Sequence, residues 1–255
     1  MHRLVFLLAI LFVLPSCQSV RRLVKASPAD PAGFLDHGVE MTRMPADSAF
    51  QFVGRNPHRS VHDRARPLTK LYVAPVRLDF LRPQRQGFTR WGRETSGPLS
   101  PEAPRMALRI RQEFIGAFQR SPNPRYTVVP APAPDALTLE IALVELNPTE
   151  VARNVGKFGA KLLLGPVGTV AGLAVHSSGN IAIEARVSLP RSREPVFAFA
   201  DNESDKLTLY CLRDFAPYGH ATIAVKEWAE AFEELTRSRA GTPIDDASIL
   251  TLMPF

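Results

Sequence analysis

Two segments in the middle of the chain alternate apolar and polar residues, which is the pattern of strands with one buried face. Their apolar positions are Leu137, Leu139, Ile141 and Leu143 in DALTLEIALVELNP, and Ile181, Ile183, Ala185 and Val187 in NIAIEARVSLP. The segment PVFAFAD follows the second, so the last two strands are predicted to form a hairpin. Further strands are predicted over residues 68–80, which are rich in β-forming residues, and in RYTVVP.

Two other segments have the spacing of amphipathic helices. Met106, Ile110, Phe114 and Phe118 predict a helix over 101–120, with an N-cap at Ser100 and Pro101 at its first position. A second helix is predicted over 218–239. Its predicted buried stripe consists of Val225, Trp228, Ala229, Phe232 and Leu235, and its predicted outer face carries Glu227, Glu230, Glu233 and Glu234.

The order of these elements predicts an α/β (α+β) fold. It consists of a small mixed, largely antiparallel sheet with two main helices packed on one face. Residues 51–67 and 82–98 are basic and interrupted by proline or glycine, and both are predicted to be loops.

The N-terminus predicts where the protein resides. Leu4 to Leu14 is unbroken apolar sequence preceded by His2 and Arg3, which is typical of a secretory signal peptide and shorter than the about 20 residues of a spanning helix. Leu14-Pro15-Ser16-Cys17 resembles the bacterial lipobox, which implies that Cys17 is acylated after cleavage.

The lipobox also sets the predicted boundaries. These are a signal peptide over 1–16, the acylated Cys17 with a tether over 17–32, one periplasmic domain over 33–239, and a tail over 240–255. Extended, the tether reaches roughly 45 Å. Gln18 follows Cys17 where an inner-membrane lipoprotein has Asp, so the expected location is the outer membrane, facing the periplasm.

The chain is basic, with a net charge of +6 and a pI of about 9.7. In the periplasm such a protein meets lipid headgroups, lipopolysaccharide and acidic glycan, so nucleic acid is not an expected partner. Arginine binds phosphate and carboxylate through two parallel hydrogen bonds. The candidate anion-binding residues in the two basic loops are Arg55, Arg59, Arg85 and Arg90. The alternative is that these arginines only keep two long loops soluble.

A glycine-rich apolar insert occupies residues 156–179 within the domain. Its candidate contact residues are Leu162, Leu163, Leu164, Gly165, Gly168 and Gly172. The insert is either a loop packed on the core or an exposed arm for self-association or membrane contact. The second interpretation predicts a homo-oligomer.

Recognisable catalytic motifs are absent from the sequence: there is no G-x-S-x-G and no phosphate-binding glycine loop. His58 and His62 have the spacing of metal ligands on a helix, but no Glu lies between them and Pro57 precedes them. We therefore expect no metal, no cofactor and no enzymatic activity.

Five segments together resemble the bacterial lipoprotein family called domain of unknown function 3313. They are GFLDHGVEM (33–41), KLYVAPVRL (70–78), DALTLEIALVELNPTE (135–150), NIAIEARVSLP (180–190) and PYGHATIAVKEWAEAFEEL (217–235). Family members usually have Trp at the position of Tyr218. The resemblance implies an envelope lipoprotein with an α/β domain and no assigned catalytic residues.

Two functions follow as hypotheses. The first is a non-catalytic envelope lipoprotein that binds another envelope component, either protein or glycan. The second is an oligomeric, membrane-associated assembly or secretion component that uses the glycine-rich insert. A periplasmic hydrolase is a weaker third, because it would need a catalytic motif of a new kind.

Overall fold

The computed structural model describes residues 28–35, 38–45, 47–88, 94–96, 98–148, 179–204 and 218–238. The predicted signal peptide, Cys17, Arg90 and the six candidate residues of the glycine-rich insert lie outside these ranges.

Nine strands and three helices are present in the described ranges. The strands are β1 (Glu40–Arg43), β2 (Phe52–Arg55), β3 (Lys70–Val73), β4 (Arg85–Phe88), β5 (Glu94–Ser96), β6 (Thr127–Val129), β7 (Ala136–Asn147), β8 (Asn180–Ser188) and β9 (Pro195–Ser204). The helices are α1 (Arg59–Ala65), α2 (Ala103–Arg120) and α3 (Gly219–Arg237).

Seven of these strands form one mixed sheet in the order β1-β2-β9-β8-β7-β3-β6. Strand β3 runs parallel to β6 and β7, and all other neighbours are antiparallel. Strands β4 and β5 form a separate hairpin. The predicted mixed, largely antiparallel α/β fold is therefore confirmed.

The predicted apolar alternation places one face of the sheet in the core. Leu139 pairs with Val187, and Val187 with Phe197, so these three side chains share a face. Helices α2 and α3 pack on each other and on this face, which we call the helix face. The apolar stripe of α2 and the predicted Trp228 and Phe232 of α3 are buried there, as the spacing predicted.

The opposite face of the sheet is contacted by residues 28–35, which we call the docked segment. The backbone N–H of Ala32 donates to the Glu184 carboxylate at 2.7 Å, and Arg186 donates to the carbonyl of Phe34 at 3.2 Å. The Arg186 guanidinium also lies 4.6 Å from the centre of the Phe34 ring, which is buried. Residues 28–32, at the end of the predicted tether, are thus already in contact with the domain.

The prediction of a loop over 51–67 is wrong, because this segment contains β2 and α1. β2 is only four residues long and contains Gly54, so it shows no alternation of apolar and polar residues. Its strand conformation depends on its pairing with β9. α1 is seven residues long and is stabilised by the burial of Val61 and Ala65 in the core. The basic loop over 82–98 likewise contains the short strands β4 and β5. Strand β1 was not predicted from the sequence.

Other boundaries differ in detail. The strand predicted over 68–80 ends at Val73, because Pro75 interrupts it, although Ala74 and Arg77 still hydrogen-bond to β7. α2 begins at Ala103 without a side-chain cap, since the Ser100 hydroxyl instead bonds the Tyr218 hydroxyl at 2.9 Å. Glu233 was expected outside but is buried, where Arg237 donates to its carboxylate at 2.9 Å.

Across the described part of the chain, none of the helices combines the length and apolar character that crossing a bilayer requires.

Candidate functional site

One end of the sheet gathers residues from seven elements around a cavity of about 550 Å³, which we call the basic cavity. The pairing explains why they meet. β7 begins where β8 ends, β9 begins opposite the end of β8, and the last residue of β2, Arg55, pairs with Phe197 of β9. Helix α1 and the C-terminal end of α3 flank this end of the sheet.

The interior of the basic cavity is apolar. Leu71 and Leu137, paired on adjacent parallel strands, form its floor together with Phe232 of α3. Phe197 and Leu235 are half-buried and form the walls. The floor residues are almost fully removed from solvent, so the cavity narrows towards the core.

The rim of the basic cavity is cationic. Four arginines and a single aspartate line it: Arg55, Arg59, Arg66, Arg125 and Asp63. Asp63 is 4.0 Å from Arg59, and both side chains are largely exposed, so water screens this pair. Within the described ranges, Arg55 and Arg66 have no carboxylate within ion-pair distance. The rim therefore keeps a positive field for an incoming anion.

Asn56 stabilises the turn that joins β2 to α1 at the rim of the basic cavity. Its side-chain amide donates to the carbonyl of Pro195 at 2.7 Å, and its side-chain oxygen accepts from the backbone N–H of His58 at 2.9 Å. The His62 ring bonds the carbonyl of Asn56 at 2.8 Å. Asn56 is buried, so these bonds hold the start of α1 against the beginning of β9.

Arg125 and Tyr126 complete the other side of the rim. Arg125 donates to the carbonyl of Arg66 at 2.7 Å and lies 5.2 Å from the centre of the Tyr126 ring. Burial raises the pKa of Tyr126, against a smaller opposing effect of the Arg125 charge. The phenol therefore stays protonated at neutral pH, where it can donate a hydrogen bond to an anion.

Of the predicted anion-binding residues, Arg55 and Arg59 come together at this rim. Arg85 lies in β4, and Arg90 falls outside the described residues. Arg125 and Tyr126 were not predicted as rim residues, because the only signal in the sequence is their position before a short strand.

His58 and His62 lie at the start and in the middle of α1. His58 is the exposed residue before α1, and His62 turns to the carbonyl of Asn56. Among the described residues there is no cluster of three or more His, Cys, Asp or Glu side chains that could hold a metal ion.

The opposite end of the sheet carries a buried polar cluster. Asn180 donates to the Glu145 carboxylate at 2.7 Å and to the side-chain oxygen of Asn202 at 3.1 Å, and Asn147 donates to Asn180 at 2.5 Å. Arg82 pairs with Glu145 at 2.9 Å. These side chains hold the ends of β7, β8 and β9 together.

Comparison with known proteins gives little guidance. No protein-family model matches the chain, and no curated protein matches it. Among solved structures, a Xanthomonas campestris protein of the domain of unknown function 330 family is similar, with 11% identity and a TM-score of 0.35. The similarity covers 64% of this chain and 81% of that one. These values are too low to assign a family or a function, so the resemblance to domain of unknown function 3313 stays a prediction.

Proposed function

We propose that this chain is a non-catalytic envelope lipoprotein, held on the periplasmic side of the outer membrane by acyl chains on Cys17, that binds an anionic envelope component in its basic cavity. The lipobox-like Leu14 to Cys17 supports the anchor, and Gln18 supports the outer membrane. The five segments that resemble domain of unknown function 3313 support the same class of protein.

The observation that carries the binding proposal is the arginine rim over an apolar floor. A guanidinium donates two parallel hydrogen bonds to a phosphate or carboxylate, and such charge-assisted bonds are roughly twice as strong as neutral ones. An anionic partner with an apolar part satisfies both halves of the cavity.

The anchor is tested with Cys17→Ala, followed by membrane fractionation and mass measurement. We expect the wild-type chain to begin at an acylated Cys17 and to sediment with outer membranes, and the variant to leave the membrane fraction. One acyl chain binds membranes only marginally and two or more bind firmly, so the difference should be large. A wild-type chain that retains residues before Cys17 without lipid would refute the anchor.

The binding proposal is tested by photo-crosslinking in living cells. A photoreactive amino acid at position 59 lies on the rim, because the Arg59 side chain is 94% exposed. The matched control replaces Leu108 of α2, which is 63% exposed and lies away from the cavity. We expect an adduct with an anionic envelope component at position 59 alone, and loss of that adduct when Arg55 is changed to Gln. Equal adducts at both positions, or none at position 59, would contradict the proposal.

A further inference from the structure

We propose that the occupant of the basic cavity is an amphiphile with one alkyl chain and a carboxylate or phosphate head. This inference rests on the proposed function, because it specifies which anionic component the cavity binds. Its head would lie at the arginine rim, and its chain would run between α1 and α3 towards the floor.

The volume of the cavity favours one chain. A cavity of about 550 Å³ is within the roughly 300–1,000 Å³ of small-molecule sites. A water molecule occupies about 30 Å³ of liquid, and a methylene group is of similar size, so the cavity holds about eighteen such groups. That matches one long acyl chain with part of its head, and it is too small for the two chains of an intact phospholipid.

The distribution of polarity in the cavity favours an amphiphile over a glycan. Below the rim, Leu71, Leu137 and Phe232 present only apolar atoms, and Phe197 and Leu235 do the same on the walls. A sugar placed there would lose its hydrogen bonds to water without replacement, which is costly. An alkyl chain gains free energy with each buried methylene.

The charge at the rim selects the head group. Arg55 ends β2 beside Phe197, so its guanidinium is attached at the boundary between the apolar wall and solvent. Arg66 follows the end of α1 on the same rim. Both are exposed and have no carboxylate within ion-pair distance in the described part of the chain, so an anionic head need not displace an existing ion pair.

The test uses the non-lipidated chain 18–255, which keeps every described residue and therefore every contact reported above. Octanoate, decanoate and dodecanoate, and the matching alkyl phosphates, are titrated below their micelle concentrations by calorimetry. We expect affinity to rise about fourfold for each added methylene. Inorganic phosphate and dodecanol, which carry only one half of the amphiphile, should bind at least tenfold more weakly than dodecyl phosphate.

Two variants separate the parts of the site. The double variant Arg55→Gln/Arg66→Gln should bind dodecyl phosphate about tenfold more weakly, because each substitution removes a charged hydrogen-bond donor. The control, Arg105→Gln with Arg109→Gln on the exposed face of α2, changes the net charge equally and should leave binding unchanged. Leu235→Trp fills the cavity from its half-buried wall and should abolish chain-length dependence while the chain still melts cooperatively.

Three results would overturn the inference. The first is an affinity that does not grow with chain length, together with inorganic phosphate that binds as tightly as dodecyl phosphate. This result would mean that the cavity binds an anion alone, and it would refute an amphiphilic occupant. A glycan or protein adduct at position 59 in cells would support the proposed function and refute a lipid occupant. Binding that occurs only after removal of 240–255 would show that the acidic and apolar tail of the chain is the occupant instead.

Discussion

At Gly54 the sheet leaves no room for a side chain. This residue of β2 pairs with Met41 of β1 and Ala198 of β9. A Cβ atom there would lie 2.4 Å from Cγ1 of Val39 and 2.8 Å from the backbone oxygen of Glu40. Both distances are shorter than real contacts, and a backbone atom cannot rotate away. We therefore expect Gly54→Ala to lower the free energy of unfolding by about 1–3 kcal/mol, as overpacking does. The measurement is the denaturant midpoint of the 18–255 chain.

Gly116 provides the matched control, because its substitution by Ala should change stability in the opposite direction. A Cβ there would lie 2.6 Å from Nη1 of Arg120, the far end of an exposed, flexible side chain that can move. Because Ala is favoured over Gly by up to about 1 kcal/mol inside a helix, Gly116→Ala should raise the same midpoint. If Gly54→Ala left the midpoint unchanged or raised it, the close approach of β1 to β2 would be refuted.

The role of a residue can be predicted from the sequence when the neighbouring residues along the chain indicate it. Arg55 and Arg59 were identifiable as candidates by charge alone. Arg125 was not, because it reaches the same rim through the parallel pairing of β3 with β6, which no local pattern encodes. Asp201 is a similar case. It is the last residue of the predicted strand PVFAFAD and lies on the helix face of β9, where it accepts hydrogen bonds from Trp228 at 2.6 Å and from the backbone of Gln51 at 2.9 Å.

Among the elements, length and periodicity decide what the sequence reveals. β7, β8, α2 and α3 each bury a stripe over nine or more residues, so the period of the apolar residues is plain. β2 and α1 are too short to show a period, and their partners far along the chain determine their conformation. These short elements supply part of the rim of the basic cavity. The sequence therefore predicted some of the rim residues but not the elements that position them.

Helix α3 is the element on which the core depends most directly. The Phe232 ring lies 5.2 Å from Phe199 of β9, and 5.8 Å and 5.9 Å from Phe114 and Phe118 of α2, between ring centres. Phe232→Ala should therefore cost about 3–5 kcal/mol, as the removal of a buried aromatic ring does. Leu108→Ala, on the exposed face of α2, should change stability by no more than about 0.5 kcal/mol. Thermal melting of both variants decides this, and an unchanged midpoint for Phe232→Ala would mean that α3 does not pack as described.

At the scale of the whole molecule, the docked segment and the basic cavity lie on opposite faces of the sheet. The docked segment lies on the face opposite the helices, where Arg82 donates to the carbonyls of Asp30 and Pro31. The cavity lies on the helix face at one end of the sheet. The chain from Cys17 to Pro28 spans at most about 36 Å, which is less than the roughly 45 Å predicted for the full tether. A lipid on Cys17 would therefore keep the domain close to the membrane, within reach of membrane-derived amphiphiles.

The two ends of the chain that flank the glycine-rich insert lie next to each other in the sheet. Asn147 and Asn180 are paired residues at the end of the β7–β8 ladder and are joined by a side-chain hydrogen bond of 2.5 Å, so the intervening chain leaves and returns at one point. Shortening such a connection changes the entropy of loop closure only slightly. Deletion of 160–174 should therefore leave the melting midpoint of the 18–255 chain nearly unchanged.

This separation makes the role of the insert testable. If Leu162 to Leu164 and the glycines after them form an exposed contact arm, the deletion should lower the mass in solution and weaken binding to vesicles of anionic lipid. Leu162→Ser, Leu163→Ser and Leu164→Ser together should have the same effect, because they remove the apolar surface and keep the length of the segment. Light scattering and vesicle sedimentation measure the two quantities. A folded deletion variant with unchanged mass and unchanged vesicle binding would show that the segment serves neither contact, and the interpretation as a loop packed on the core would replace the arm.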